Sequence, residues 1–405
     1  MEDRPSNRAA GVTPFLVMEL LDQAKLMITR GEDVIRLEAG EPDWPSPPRV
    51  IEAGREALAR GDTGYTPSAG SPELREAISE WYGARYGVAV DPGRIFVTSG
   101  SSPALLLALA AIVDRGDEVL VSDPGYPGYA NAGQFLEARC IRFPVVESEA
   151  FAYSAARISE AVTPRTKAIM VNSPANPTGA CVAPREFEHI CSLGPWVVSD
   201  EIYHELSYDA ERCRTALEYT DHCFVVNGFS KRYAMPGWRL GWVVAPKTCL
   251  DVLRNMNQNF LLAAGTVSQA AGVVALRDTE DDVRRMRDEY RSRRDLLVRR
   301  LREIGFGVPA PPAGALYVFA SAARFSPDSI AFAKELLLNT GVSVTPGVDF
   351  GPASEGYIRL SYTTTRERIA EAMDRVQRYL AARTAAPTES ANPAQHSPEA
   401  GAGAV

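Results

Sequence analysis

Between residues 94 and 246 short runs rich in β-branched residues recur, separated by stretches with helical spacing, and this rhythm restricts the chain to an α/β architecture. The runs are RIFVTSG (94–100), EVLVSDP (118–124), ARCIRFPV (138–145), KAIMVNSP (167–174), WVVSDEIY (196–203), CFVVNGFS (223–230) and RLGWVVAP (239–246). They predict a wide, mostly parallel central sheet of seven strands flanked by helices. SPALLLALAAIVDRG after the first run and APREFEHICSLG before the fifth are two of those helices. Only KRYAMPGW separates the last two runs. That is too short for a crossover helix, so this connection is expected to be antiparallel.

A chain of 405 residues exceeds the usual size of one core, and the pattern changes on both sides of the sheet region. From residue 279, TEDDVRRMRDEYRSRRDLLVRRLREIG reads as a helix of about seven turns, acidic at its start and rich in arginine toward its end, which suits the helix dipole. Beyond it GALYVFA, GVSVTPG and YIRLSYT read as short strands of a smaller α/β domain. Residues 1–44 form an N-terminal arm, with a helix PFLVMELLDQAKLMITRG, that is expected to pack with the smaller domain. The expected division is therefore arm 1–44, large domain 45–278, and bridge helix with small domain 279–383. A tail at 384–405, rich in Ala, Pro and Ser and without apolar periodicity, is expected to be disordered.

Charge and composition narrow the partners. A net charge of −8 gives no overall field to draw in nucleic acid or an anionic membrane, so any anion must be bound by a local pocket. The start, MEDRPSNRAAGVTPF, has no apolar run behind its charges, and no stretch is long and apolar enough to span a bilayer. A cytoplasmic protein is expected. Six cysteines without a C-x-x-C spacing read as reduced, mostly buried thiols, and four histidines without an H-E-x-x-H pair argue against a metal site.

Ligands of open α/β sheets bind at the carboxyl ends of the strands. After the first run Gly100 frees a turn, Ser101 or Ser102 can cap, and Pro103 suits the first helical turn. Such an N-terminus offers N–H groups to an anion, although taken alone plain capping is the commoner reason for such serines. Tyr126 sits in the loop DPGYPGY and Asn176 in NSPANPTGA. Asp200 ends an apolar run, followed by Glu201 and Tyr203; a carboxylate there needs a cation or donor, which a structural salt bridge could also supply. Lys231 and Arg239 bracket the last connection, where a lone lysine is most often solvated. Taken together, these residues ask for a ligand with a phosphate, a flat ring, a polar oxygen, a basic nitrogen and a carbonyl. Pyridoxal 5′-phosphate has all five.

NSPANPTG, SDEIY and FSKRYAMPGWRLG, in this order, resemble the class I and II aminotransferases, the fold type I pyridoxal-phosphate enzymes. The resemblance extends from about residue 10 to 382 through VTPFLVMELLDQA, LEAGEPDWPSPP, YTPSAGSPELREAI and YIRLSYTTT. It implies that Lys231 joins the cofactor aldehyde and later shuttles the substrate proton, and that Asp200 keeps the pyridine nitrogen protonated. It implies that Tyr203 and Asn176 hydrogen-bond the phenolic oxygen, with Tyr126 stacked on the ring. Arg239, Ser230, Ser101 and Ser102 would hold the phosphate, with Tyr65 reaching over from a second subunit of a homodimer. Arg359 would take the substrate α-carboxylate, with the Gly40 backbone closing over it.

Two positions depart from the family pattern. Gly228 stands where many relatives carry a phosphate-binding serine. Ser102 stands where bacterial aspartate aminotransferases of this subgroup carry a lysine that reads the distal carboxylate, so a neutral or aromatic donor is expected over aspartate. The implied activity is a ping-pong transaminase acting on an L-amino acid and a 2-oxo acid. A pyridoxal-phosphate-dependent β-lyase is the alternative, since it shares the whole site. A cofactor-sensing regulator would need a winged domain ahead of TPFLVMEL, and a dinucleotide enzyme would need a G-x-G-x-x-G after the first run.

Overall fold

The computed structural model describes residues 5–14, 17–208 and 213–385. After a helix at Val17–Thr29 the arm contributes a short strand β1 (Ile35–Arg36). The seven expected runs become β2 (Ile95–Thr98), β3 (Glu118–Asp123), β4 (Arg139–Pro144), β5 (Thr166–Asn172), β6 (Trp196–Asp200), β7 (Cys223–Gly228) and β8 (Gly241–Val244). Among the described residues they form one sheet in the order β2-β8-β7-β6-β5-β3-β4. β3 through β7 pair in parallel, while β8 runs antiparallel to both β7 and β2, as the short last connection requires.

Alternate side chains of these strands enter opposite cores. Ile169 and Val171 of β5, Val197 of β6, Val225 of β7 and Trp242 of β8 pack on one side. Ala168, Met170, Val198, Phe224 and Val243 pack on the other. Burial on both faces explains why the runs inside the sheet are largely apolar rather than alternating, while the edge strand β4 exposes Arg139 and Arg142. Helices Ser101–Ala110 and Pro184–Cys191 lie where the sequence places them.

A third core joins the arm to the C-terminal part. Leu20, Ala24, Ile35 and Leu37 pack with Leu297 and Leu301 of the helix Glu280–Ile304, and with Leu336, Leu360 and Val376. That 25-residue helix starts with Glu280, Asp281 and Asp282 and ends at Gly305, whose φ of 108° terminates it in the left-handed region. Three strands, β9 (Tyr317–Ser321), β11 (Thr345–Pro346) and β12 (Tyr357–Ser361), form a small antiparallel sheet. The run GVSVTPG, expected as one strand, is split between two sheets. Its first half, β10 (Val342–Ser343), pairs in parallel with β1, and its second half is β11.

The helix Arg366–Ala385 carries the chain two residues into the segment expected to be a disordered tail; residues 386–405 of that tail lie outside the described residues. No helix among the described residues is long and apolar enough to cross a membrane.

Candidate active site

The ends of β2, β5 and β6, the β7–β8 connection and β12 converge on one cavity of about 320 Å³, and every expected site residue except Tyr65 lines it. Tyr65 is 86% exposed and stands apart from this cavity.

Asp200 closes β6 at the cavity floor. One carboxylate oxygen accepts from the Tyr129 hydroxyl (2.7 Å), the other from the backbone N–H of Ile202 (3.1 Å). Burial pushes its pKa up from an ordinary 3.8 to about 6, against the opposing pull of those two hydrogen bonds and the charge of Lys231. A buried carboxylate in this state is receptive to a cation. Glu201, its neighbour, turns away from the cavity. Its Oε1 accepts from Ser199 and Thr215 side chains and from the Ala216 N–H, and burial pushes its pKa up to about 8.

The Asp200 shift has a measurable sign. Between about pH 4 and 6 the folded carboxyl still holds a proton that the unfolded chain has released, so this group costs stability as pH rises, fully so above about 6. In cofactor-free protein, Asp200→Asn is expected to be more stable than wild type by about 2–3 kcal/mol near neutral pH, the gap closing toward pH 4. Urea midpoints across that range check it; a gap that does not change with pH removes the assignment.

Lys231 follows β7, and its Nζ donates to the Gly40 carbonyl at 2.5 Å. Gly40 approaches so closely that a Cβ there would lie 2.2 Å from the Tyr317 hydroxyl. Ser230, half-buried, lines the wall beside it. Arg239 sits at a φ of 54° and donates to the carbonyls of Pro236 (3.1 Å) and Ser99 (3.3 Å). Its guanidinium lies against Gly100, where a Cβ would come within 2.5 Å of Nη2. Ser101 and Ser102 were expected as possible caps. Instead Gly100 occupies the cap position, at a φ of 102°, with no side-chain hydrogen bond, and the two serines are the first helical residues. The cavity therefore meets a helix N-terminus whose first-turn N–H groups have no side-chain cap, beside a guanidinium. Gly228 lies off this wall, and a Cβ there would meet Ile202 and the Leu240 carbonyl at 3.1 Å.

Arg359, 7% exposed, enters from β12. It donates to Asn176 Oδ1 (2.9 Å), the Glu38 carbonyl (2.8 Å) and Thr345 Oγ1 (3.2 Å). Its guanidinium carbon stands 4.2 Å from the Tyr317 ring centroid and 4.9 Å from that of Phe350, while its buried Nε has no hydrogen-bond partner. The Tyr203 hydroxyl meets that of Tyr317 at 2.8 Å. Tyr126 lies on the wall with its ring edge-on to Tyr129, centroids 5.2 Å apart.

Several wall residues escaped the sequence reading: Tyr129, Asn172, Tyr317, Thr345 and Asp349. Asn172 ties the floor together, donating to the Asp200 carbonyl (3.0 Å) and accepting from the Asn176 N–H (2.7 Å). Its place at the end of the run KAIMVN was the available signal. Tyr129, three residues after Tyr126, could have been placed on the same side of a helical turn.

The chemistry the cavity offers is asymmetric. Among the described residues its cations are Lys231, Arg239 and Arg359, and its acids are Asp200 and Asp349. The wall at Arg239 and the helix N-terminus suits a phosphate, Asp200 suits a ring cation, and Arg359 suits a carboxylate.

The family profile "Aminotransferase class I and II" matches residues 32–376. The aspartate/prephenate aminotransferase of Thermus thermophilus is 37% identical over 93% of this chain and 98% of its own length. The valine–pyruvate aminotransferase of Mycobacterium tuberculosis is 37% identical over 94% of this chain and 99% of its own. A crystal structure of an aminotransferase from Mycobacterium tuberculosis superposes with a TM-score of 0.90 at 35% identity, covering 94% of this chain and all of that one. The chain therefore belongs to the class I and II aminotransferases, transaminases that work with pyridoxal phosphate.

Proposed function

We propose that this cavity moves the amino group of an L-amino acid to a 2-oxo acid in two half-reactions of a ping-pong cycle. The observation that carries the reading is Lys231, the one lysine on the cavity wall among the described residues, set in one chamber with Asp200 and Arg359. The chamber fits pyridoxal 5′-phosphate: a buried carboxylate without a cation bonded to it, an uncapped helix N-terminus and Arg239 match the ring nitrogen and the phosphate. When bound, that group supplies an aldehyde for the amino group and a ring that takes up the electrons of the substrate Cα–H bond.

The protein's own share is positioning and proton transfer. Lys231 Nζ takes and returns the proton at substrate Cα. Asp200, oriented by Tyr129 and the Ile202 N–H, holds the ring nitrogen in its cationic form. Arg239, Ser230 and the N–H groups at Ser101 and Ser102 hold the phosphate, Tyr126 covers the ring, and Tyr203 and Asn176 serve its phenolic oxygen. Arg359, with Gly40 nearby, holds the substrate carboxylate. Tyr65, solvent-exposed in one chain, is proposed to complete the phosphate site of a second copy in a two-fold homodimer. The arm 1–44 and residues 279–383 are proposed to close over substrate as one body, against residues 45–278. The six thiols are in keeping with the cytoplasm as the working compartment.

We assign the donor as neutral or aromatic rather than aspartate. Relatives of equal identity carry names with aspartate/prephenate and with valine, so the choice rests on local residues. Ser102 gives the wall no cation where a distal carboxylate would need one, and Asp349 places an acid on it. A donor panel read by the visible spectrum tests this: neutral or aromatic amino acids should convert the cofactor faster than aspartate. Ser102→Lys is expected to raise aspartate kcat/KM by about tenfold or more, the worth of one charge-assisted contact. Aspartate as the best wild-type donor would overturn the assignment. Pyruvate and ammonia released from a cysteine conjugate without any 2-oxo acid would instead identify a β-lyase.

A further inference from the structure

Cys181 and Cys213, 32 residues apart in the chain, bring their sulfurs to 3.2 Å. All six cysteines are thiols, and Cys140, Cys223 and Cys249 direct their sulfurs to the Ala130 carbonyl, the Thr220 carbonyl and the Thr248 hydroxyl. Cys181 is half-buried and lines a second cavity, of about 250 Å³, with Phe151, Ala180, Val308, Pro312 and Phe319; Cys213 is buried behind it. A small oxidant therefore has a route to one sulfur while the second waits in contact with it.

We propose that Cys181 and Cys213 form a reversible disulfide site that locks the loop bearing Asn176 to the segment that holds Glu201. A bonded pair stands about 2 Å apart, so the sulfurs need to close by only about 1.2 Å. The oxidant is a hydroperoxide. The Cys181 sulfur attacks its terminal oxygen, the O–O bond breaks, and water or an alcohol leaves, giving a sulfenic acid. The Cys213 sulfur then displaces that hydroxyl, which departs as water with the second thiol proton. Two electrons pass from the two sulfurs to the peroxide, and a thiol reductant reverses the change. At Cys140, Cys191 and Cys223 burial works against the thiolate that such attack needs: it pushes the pKa of Cys140 and Cys223 up and that of Cys191 up to about 12.

The cross-link leaves the reaction site in place. The Asn176 loop is already braced without Cys181, by Ala175 N–H to the Ala180 carbonyl (2.9 Å), Val182 N–H to Ser173 Oγ (3.0 Å) and Asn176 N–H to Asn172 Oδ1. On the other side Cys213 lies two residues before Thr215, which with Ala216 binds Glu201 next to Asp200. Oxidation thus ties together two segments that flank the ends of β5 and β6 without displacing either.

The test uses the full-length holoenzyme, treated with hydrogen peroxide, alkylated, digested without reductant and analysed by mass spectrometry. The expected product is a peptide pair joining Cys181 to Cys213, lighter by two hydrogens and released by dithiothreitol. Its Tm should rise by a few degrees over the reduced form, with turnover within about twofold of it. Cys181→Ser and Cys213→Ser, both isosteric, should each lose the cross-link and the peroxide-induced Tm rise. Sulfinic acid at Cys181 with Cys213 still a thiol, cross-links shared among other cysteines, or a cross-link without a Tm rise overturns the proposal.

Discussion

Lys231→Ala is expected to lower transaminase turnover by on the order of 10⁴-fold, because it removes both the attachment point of the cofactor and the base that acts at substrate Cα. The variant should still fold. The side chain gives up one charge-assisted hydrogen bond, to the Gly40 carbonyl, worth roughly 1.5–3 kcal/mol. It should also still bind the cofactor, since Arg239 and the uncapped helix at Ser101 are untouched. Three measurements separate these statements: steady-state turnover, the thermal unfolding curve, and borohydride labelling followed by peptide mapping. Labelling at position 231 in the wild type and none in the variant is the expected pattern. A variant that keeps turnover, or a wild type labelled at another lysine, would end the assignment of Lys231 and with it the proposed chemistry.

Arg359→Ala should lower kcat/KM for amino acids by at least about a hundredfold, since two charge-assisted hydrogen bonds to a carboxylate contribute roughly 1.5–3 kcal/mol each. A merely structural role predicts something different. Arg359 also braces Asn176, Glu38 and Thr345, so its loss could loosen the wall for every substrate alike. The two effects part when an amine lacking the α-carboxylate is compared with its parent amino acid. Loss of carboxylate recognition collapses the preference for the amino acid; a loosened wall slows both and keeps the preference. Arg359→Lys, which retains the charge without the planar fork, should fall between wild type and alanine.

The sheet was legible because its signal is local. Apart from the edge strand β4, each strand is built on a continuous, largely apolar buried run, and the eight residues of KRYAMPGW leave no room for anything but a return strand. That Asp200, Asn176 and Lys231 share one cavity wall was legible for the same reason: once its strand is placed, each falls just at or beyond the carboxyl end. What was not legible arises between distant segments. GVSVTPG divides into β10 and β11 only because the arm supplies β1 as a partner. Tyr317 touches Tyr203, Gly40 and Arg359 at once, three contacts that no spacing in the sequence encodes. The helix end at Ser101 stayed open between capping and anion binding because serine at that position serves both arrangements, and it is Gly100 at the cap position, without a side-chain hydrogen bond, that leaves it uncapped.

The pairing of β1 with β10 bears on how the chain is made. Ile35 and Leu37 donate their backbone N–H groups to the carbonyls of Gly341 and Ser343, and the Leu37 carbonyl accepts from Ser361. On the ribosome these partners emerge more than 300 residues after the arm, a delay of roughly 15–60 s at ordinary elongation rates. Over that interval Leu20, Ile35 and Leu37 wait for the strands and helices that complete their core, and the seven-stranded sheet itself is finished only once β8 has emerged. The apolar face of Leu20, Ile35 and Leu37 is thus among the last parts of the described chain to find its complete set of partners during synthesis.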